Sequence, residues 1–293
     1  MSVAAAANPA LVVLPPRRML ARVLGAPGAA VGMVVLTLLV AGALLAPWVA
    51  PFDPDAQRVC RRLVAPNWTN WFGCDAFGRD IFSRILHGGR LSLAVGLLTV
   101  AISMVAGTII GMVMAFVGGR VDRIGSRFLD VMLGFPPIVL AILIVAVLGV
   151  GAVNAALAVG ISGIPRFARV VRSATLTLVG REFVESARAV GASQTRILRR
   201  HLLPNLMPIV IVLVSLDLGT AILSTATLSF LGLGAQPPTS EWGAMLNAGR
   251  EFMRYAPWTM IFPGLALFLA VMSINLVGDR LSHVLDPRAS GRV

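Results

Sequence analysis

"REFVESARAVGASQTRILRRHLLPN", residues 181–205, is the most polar long stretch in a 293-residue chain that is 57% hydrophobic and only 13% charged. It carries five arginines among small apolar residues, with Gly191 in the middle and Pro204 near the end. Phe183, Ala187, Val190, Ile197 and Leu198 recur at three-to-four spacing, which predicts a short amphipathic helix. Gly191 interrupts the pattern at a cost of about 1 kcal/mol relative to Ala, so two short helices or a bend are expected. Pro204 and Pro208 suit the start of a following helix, where a missing N–H does little harm.

The composition around this segment is that of an integral membrane protein. A soluble domain is about one-quarter charged, whereas here the mean hydropathy is +0.85. The net charge of +12 comes from 25 basic residues, all Arg and none Lys. The arginines flank apolar runs, a pattern of membrane orientation and not of a nucleic-acid groove. Without Lys the chain holds neither a phosphate-binding loop of the Gly-x-x-x-x-Gly-Lys type nor a Schiff-base lysine. Energy from nucleotide must therefore come from a partner, and no cofactor or metal is expected.

A bilayer core of about 30 Å needs about 20 apolar helical residues. Six spans are expected, at about 28–50, 91–117, 130–150, 153–175, 206–233 and 258–279. They make up a membrane domain over 28–280 between cytosolic tails 1–27 and 281–293. The charge-free run 131–165 is too long for one span, and "GVG" at 149–151 with Asn154 offers a turn. Arg17, Arg18, Arg22, Arg120, Arg123 and Arg127 fall on one side. So do the eight arginines from Arg166 to Arg200, and Arg280, Arg288 and Arg292. That majority puts both termini and the 181–205 loop in the cytosol. The N-terminus has its arginines after a short apolar piece, the reverse of a signal peptide.

Several residues invite individual readings. Asp217 is ionisable deep inside an apparent span, so it lines a pore or contacts a helix of a partner subunit. Cys60 and Cys74 lie between the first two spans. They form a disulfide if that loop meets an oxidising compartment, and are otherwise two free thiols. Asn154 and Asn275 read as helix–helix hydrogen bonders. Asp75 and Asp80 lack the alternation of a calcium loop and are expected to pair with Arg79, Arg84 or Arg90. "GISG" at 160–163 has the form seen in intramembrane serine proteases, but Ser162 would need a histidine inside another span. His87, His201 and His283 fall in loops or at span ends, so close helix packing is the preferred reading. A passive channel would leave a cytosolic docking helix idle.

"ESARAVG" followed by "HLLP" resembles the Glu-Ala-Ala-x-x-x-Gly…Leu-Pro loop of permease subunits in binding-protein-dependent ABC importers. In order along the chain, "DAFGRDIFSRILHGGRLSL" (75–93), "FVGGRVDRIGSRFLDVMLGFP" (116–136), "LSFLGLGAQPPTSEWG" (228–243) and "GDRLSHVLDPR" (278–288) are similar to segments of the dipeptide and oligopeptide branch. The resemblance covers nearly all of the chain from about residue 73. It implies an all-α type I permease fold of six transmembrane helices with a cytosolic coupling helix. The implied function is one half of a pore for di- or oligopeptides in a bacterial inner membrane, with nickel or another small solute as the alternative cargo. It also implies a second permease, two ATPase subunits and an external solute-binding protein as partners, with no nucleic acid. Carried over residue by residue, ATPase coupling falls to Glu185, Ser186, Ala187, Arg188, Gly191, Ala192, Leu203 and Pro204. Ser186 and His201 depart mildly from the pattern. Cys74 stands where the branch often has Thr, which makes a disulfide particular to this chain. Thr225 stands where relatives often carry Glu, so the substrate path, with Asp217 and Thr225 as pore-lining candidates, is expected to differ.

Overall fold

The computed structural model describes residues 25–285. Most of the expected tails, including Arg17, Arg18, Arg22, Arg288 and Arg292, lies outside the described residues. Nine helices carry the described chain: α1 Pro27–Leu44, α2 Ile81–Val117, α3 Gly119–Leu133, α4 Pro137–Leu148, α5 Ala152–Val179, α6 Glu182–Ala189, α7 Gln194–Phe230, α8 Trp242–Gly249 and α9 Trp258–Leu285. A further single turn, Ala46–Val49, follows α1. No strand occurs among the described residues; one isolated bridge pairs Cys74 with Asp80.

Four helices, α1, α2, α7 and α9, are long and apolar enough to cross a membrane, and five crossings result if the bent α3–α4 pair counts as one. The span expected at 130–150 takes a different form. Residues 130–133 end α3, and the chain then bends by 94° between α3 and α4. The 12 residues of α4 reach about 18 Å, short of the ~30 Å hydrocarbon core. Hydropathy alone conceals this bend because the run 131–165 contains no charge. Gly134, Pro136 and Pro137 make it, proline lacking the N–H to continue α3. The expected fourth span is α5, which carries Arg166, Arg169 and Arg172 in its second half.

The second span begins at Ile81, earlier than expected, because a polar cap sets it. The Asp80 carboxylate accepts from Ser83 N and Ser83 Oγ, both at 2.8 Å, and from Asn70 Nδ2 at 2.9 Å. Asp80 thus caps a helix and pairs with no arginine. Asp75 binds Arg79 at 2.6 Å, and Arg90 instead reaches the last carbonyls of α1, Ala43 O and Leu44 O. Buried Arg84 donates to Pro54 O at 2.7 Å and Pro238 O at 3.1 Å, joining the two long loops at this end. Cys60 and Cys74 form a disulfide in the first of these loops. Asn154 on α5 is the helix–helix hydrogen bonder expected of it: its Nδ2 donates to Leu148 O and Gly149 O, closing the end of α4.

Small residues let α2 and α5 pack backbone to backbone. Ser103 Oγ on α2 donates to Gly160 O on α5 at 2.7 Å, and Ser162 Oγ returns to Val159 O in its own helix. The "GISG" motif is a packing surface, with Ser162 committed to a carbonyl. One apolar core joins α2, α7, α8 and α9 around Trp242, whose Nε1 donates to Ile85 O at 3.0 Å. A second, around Val171, Val184, Ile197, Leu202 and Leu206, fastens α6 and the start of α7 to α2 and α5.

A Cβ at Gly111 would stand 2.3 Å from Ala168 O, a backbone atom unable to move aside, whereas one at Gly180 meets nothing within 4 Å. Gly111→Ala should therefore lower unfolding stability by roughly 1–3 kcal/mol. Gly180→Ala should leave it unchanged or slightly raised. Both follow from unfolding midpoints of the detergent-solubilised protein.

Candidate functional site

The polar segment forms two helices, as its glycine implies, and hydrogen bonds define the break. α6 has Glu182 and Glu185 in its first turn and Arg188 in its last, each at the end of the helix dipole that favours its charge. Gly191 N donates to Arg188 O at 2.9 Å and Ala192 N to Ala187 O at 3.0 Å. This pair of bonds is a Schellman cap, and it needs a residue in the left-handed region just past the helix. Gly191 supplies it with φ +76°. α7 then starts at Ser193, whose hydroxyl accepts from Arg196 N. Ile197–Leu202 winds as a π-turn, followed by α-helix with Pro204 in its first turn.

This geometry sorts the expected coupling residues. Glu185, Ser186, Arg188, Gly191 and Pro204 are exposed, and Ala192 and Leu203 are half-buried. Ala187 is buried in the protein's own core beside Val184 and Ile197, so it anchors α6 and is not free to touch a partner. Val190, expected on the apolar face with Ala187, is 83% exposed. The helix stops at Ala189, and three-to-four spacing loses its meaning beyond that cap. Val184, fully buried, takes the inward position that the spacing argument missed. The Arg188 guanidinium lies 5.5 Å from the Phe116 ring centroid, linking α6 to the end of α2. The result is a polar knob: Val190 and Gly191 are exposed at the turn, Glu182 and Glu185 are exposed on α6, and Arg196, Arg199 and Arg200 are exposed at the start of α7.

A second polar feature lies within the helices. Arg166, Arg169 and Arg172 leave α5 at successive turns, each facing a carboxylate. Arg166 Nη1 stands 2.5 Å from Asp217 Oδ1 on α7. Arg169 pairs with Asp130 near the end of α3. Arg172 grips Asp122 at the start of α3 through two bonds, Nε–Oδ1 at 2.5 Å and Nη2–Oδ2 at 2.6 Å. An unpaired charge at membrane depth costs roughly 2.5–3.5 kcal/mol on insertion scales; here each is matched within the chain. Asp217 therefore has a counter-charge, Arg166, within its own chain. Arg166 counts in the sequence only as an orienting charge, so this pair goes unread there although the span expected at 153–175 contains it. A three-residue arginine spacing opposite the Asp122–Asp130 spacing of an amphipathic α3 was the legible clue. Thr225 is buried, and its hydroxyl donates to Ala221 O and Ile222 O of its own helix. Asn275 stands against Gly219 between α7 and α9.

Residues 107–291 match the family of the binding-protein-dependent transport system inner membrane component, and residues 16–66 match the N-terminal transmembrane domain of oligopeptide transport permease C. The chain is 48% identical to the glutathione transport system permease protein GsiD of Escherichia coli O1:K1 / APEC, over 87% of this chain and 84% of that protein. It is 44% identical to the dipeptide transport system permease protein DppC of Alkalihalophilus pseudofirmus, over 89% and 86%. Among solved structures, an inward facing conformation of the MetNI methionine ABC transporter superposes with a TM-score of 0.56 at 20% identity. That likeness covers 69% of this chain and 96% of the other, and it speaks for the fold alone.

Any side chain at 191 must adopt a positive φ, and the space around it is open, so substitution there tests the backbone only. Gly191→Val should weaken the cap by roughly 1–2 kcal/mol and speed amide exchange at 191 and 192 about tenfold. Gly191→Asn, a residue that tolerates this conformation, should keep most of the protection.

Proposed function

We propose a role that starts from family membership: the chain belongs to the binding-protein-dependent transport system inner membrane components. It is a multi-pass permease subunit of an ABC importer. From there we infer that it carries di- or oligopeptides inward, pairs with a homologous second permease, and is driven by two ATPase subunits and supplied by an external binding protein. The peptide assignment rests on what the similar GsiD and DppC proteins are named for transporting, joined to a match with the oligopeptide permease C domain.

The single observation that carries the coupling role is the capped knob at 182–200. It is rigid at its base, where Val184, Ala187, Ile197 and Leu202 are buried, and polar and exposed at its tip. A surface of this kind suits a cleft on a nucleotide-hydrolysing partner, and the chain has no lysine with which to build a phosphate-binding loop of its own. Closure of the ATPase pair on ATP would pull the knob. Its anchorage to α2 and α5 would carry that displacement into the helices, rocking them from inward- to outward-facing. Glu185, Ser186 and Arg188 supply polar contacts, Val190 and Gly191 the point of close approach, and Leu203 and Pro204 the turn into α7. On this reading both termini and the knob are cytosolic. The six crossings include α5, admitted to the membrane because its arginines are paired.

Reconstitution of the permease pair, ATPases and binding protein in proteoliposomes should give peptide uptake with ATP and none without it. Uptake without ATP would point to a channel instead. In the same vesicles Glu185→Arg should reduce uptake about tenfold, a contact worth about 1.4 kcal/mol, with the amount of inserted protein unchanged. Val190→Cys should crosslink to an ATPase subunit; the absence of any such crosslink would remove the knob from the coupling path.

A further inference from the structure

The three arginines of α5 are not held alike. Arg172 spends its Nε/Nη2 edge on both oxygens of Asp122. Arg166 meets Asp217 through Nη1 only, so among the described contacts its equivalent Nε/Nη2 edge is uncommitted. That edge is the fork whose two parallel N–H groups match a carboxylate. The Arg166 side chain is 56% exposed while that of Asp217 is 13% exposed: the guanidinium lies open beside a buried carboxylate that it meets as an ion pair, without a hydrogen bond to Asp217 Oδ1.

Depth and surroundings say what it faces. Gly151, at the head of α5, bonds Leu233, just past the end of α7, so these two helix ends lie at one level. Arg166 is about 21 Å along α5 from that level and Asp217 about 20 Å along α7; with the hydrocarbon layer of ~30 Å beginning at those helix ends, both fall inside it. Lipid at that depth would disfavour a half-exposed guanidinium; protein or a water-filled path would not. From 166 to 179 the exposed positions of α5 are Arg166, Arg169, Ser173, Leu176 and Thr177, all polar except one, and exposed Thr220 lies one turn from Asp217 on α7. A polar stripe of this kind lines water.

We propose that Arg166 binds a carboxylate of the transported solute through its open edge, and that Asp217 is the positioning residue that aims the guanidinium at it. The inference rests on the reading of this chain as a peptide permease and assigns the solute's anionic end, its free C-terminus, to a named side chain. Sharing the guanidinium with Asp217 suits a site of passage: full positive charge would hold the solute, whereas a charge already part-neutralised lets it go. Arg169, one turn further along α5 and also paired, offers the next contact.

The test compares uptake of radiolabelled trialanine with that of trialanine amide by the complete transporter in proteoliposomes. Because the binding protein is the same throughout, any change in the acid-to-amide ratio between variants comes from the permease. Arg166→Gln should cut acid uptake about tenfold and leave amide uptake unchanged, lowering the ratio by the same factor, and Arg166→Lys should restore part of it. Should Arg166→Gln fail to insert beside an orphaned Asp217, the charge-balanced pair Arg166→Gln with Asp217→Asn should insert and show the same loss of ratio. An equal fall for both peptides, or a ratio unmoved in either variant, overturns the assignment of Arg166 while leaving the peptide reading intact. Wild-type uptake of neither peptide with ATP present overturns the peptide reading and this inference together.

Discussion

Arg166, Arg169 and Arg172 project from successive turns of a helix that must lie at or within a membrane, and each demands a counter-charge nearby. Asp217, Asp130 and Asp122 answer that demand from two different helices. The arrangement of α3, α5 and α7 follows from it. α3 runs along the second half of α5 and delivers two carboxylates to it. α7 has to pass close enough for Asp217 to reach across. The glycine and serine contacts between α2 and α5 then fix the distance of the remaining long helix, since backbone packed on backbone leaves no slack for adjustment.

Much of this was legible in the sequence, and the exceptions share a cause. Apolar runs separated by arginines identified an all-helical membrane chain, and the Glu185…Gly191…Pro204 pattern marked the segment that stands apart from it. Hydropathy, however, reports burial in an apolar medium and not where helices begin, end or fold back. The true boundaries are set by local hydrogen bonding: the Asp80 carboxylate starting α2 well before its apolar stretch, and Asn154 closing α4. Gly191 ends α6 one residue before Val190, so the spacing argument carried Val190 inward when it points out. Counting Arg166 only as an orienting charge left its contact with Asp217 unread, although the span expected at 153–175 contains it.

The end of the molecule opposite the knob is built on a different principle. There the long loops are held by polar contacts made once and buried. Arg84 ties residues near 54 to those near 238, and Glu241 accepts from Ser92, Gly243 and Ala244. A disulfide between Cys60 and Cys74 closes the first loop. The two ends therefore differ in what holds them. One is knitted by many short-range bonds across distant parts of the chain, the other projects two short helices from a single apolar cluster.

The π-turn at Ile197–Leu202 resolves a phase problem along α7. Its buried residues run Ile197, Leu202, Leu206, Val210, with a first step of five residues and later steps of four. In an uninterrupted α-helix, at about 100° per residue, five residues would swing Ile197 some 140° away from Leu202. The wider winding absorbs the additional residue and returns Ile197 to the inward stripe. The azimuth of the exposed arginines thus becomes independent of the azimuth of the transmembrane stretch. Among related chains, a residue gained or lost in this single turn would re-aim the exposed arginine face like a dial without touching the packing of the long helix that follows.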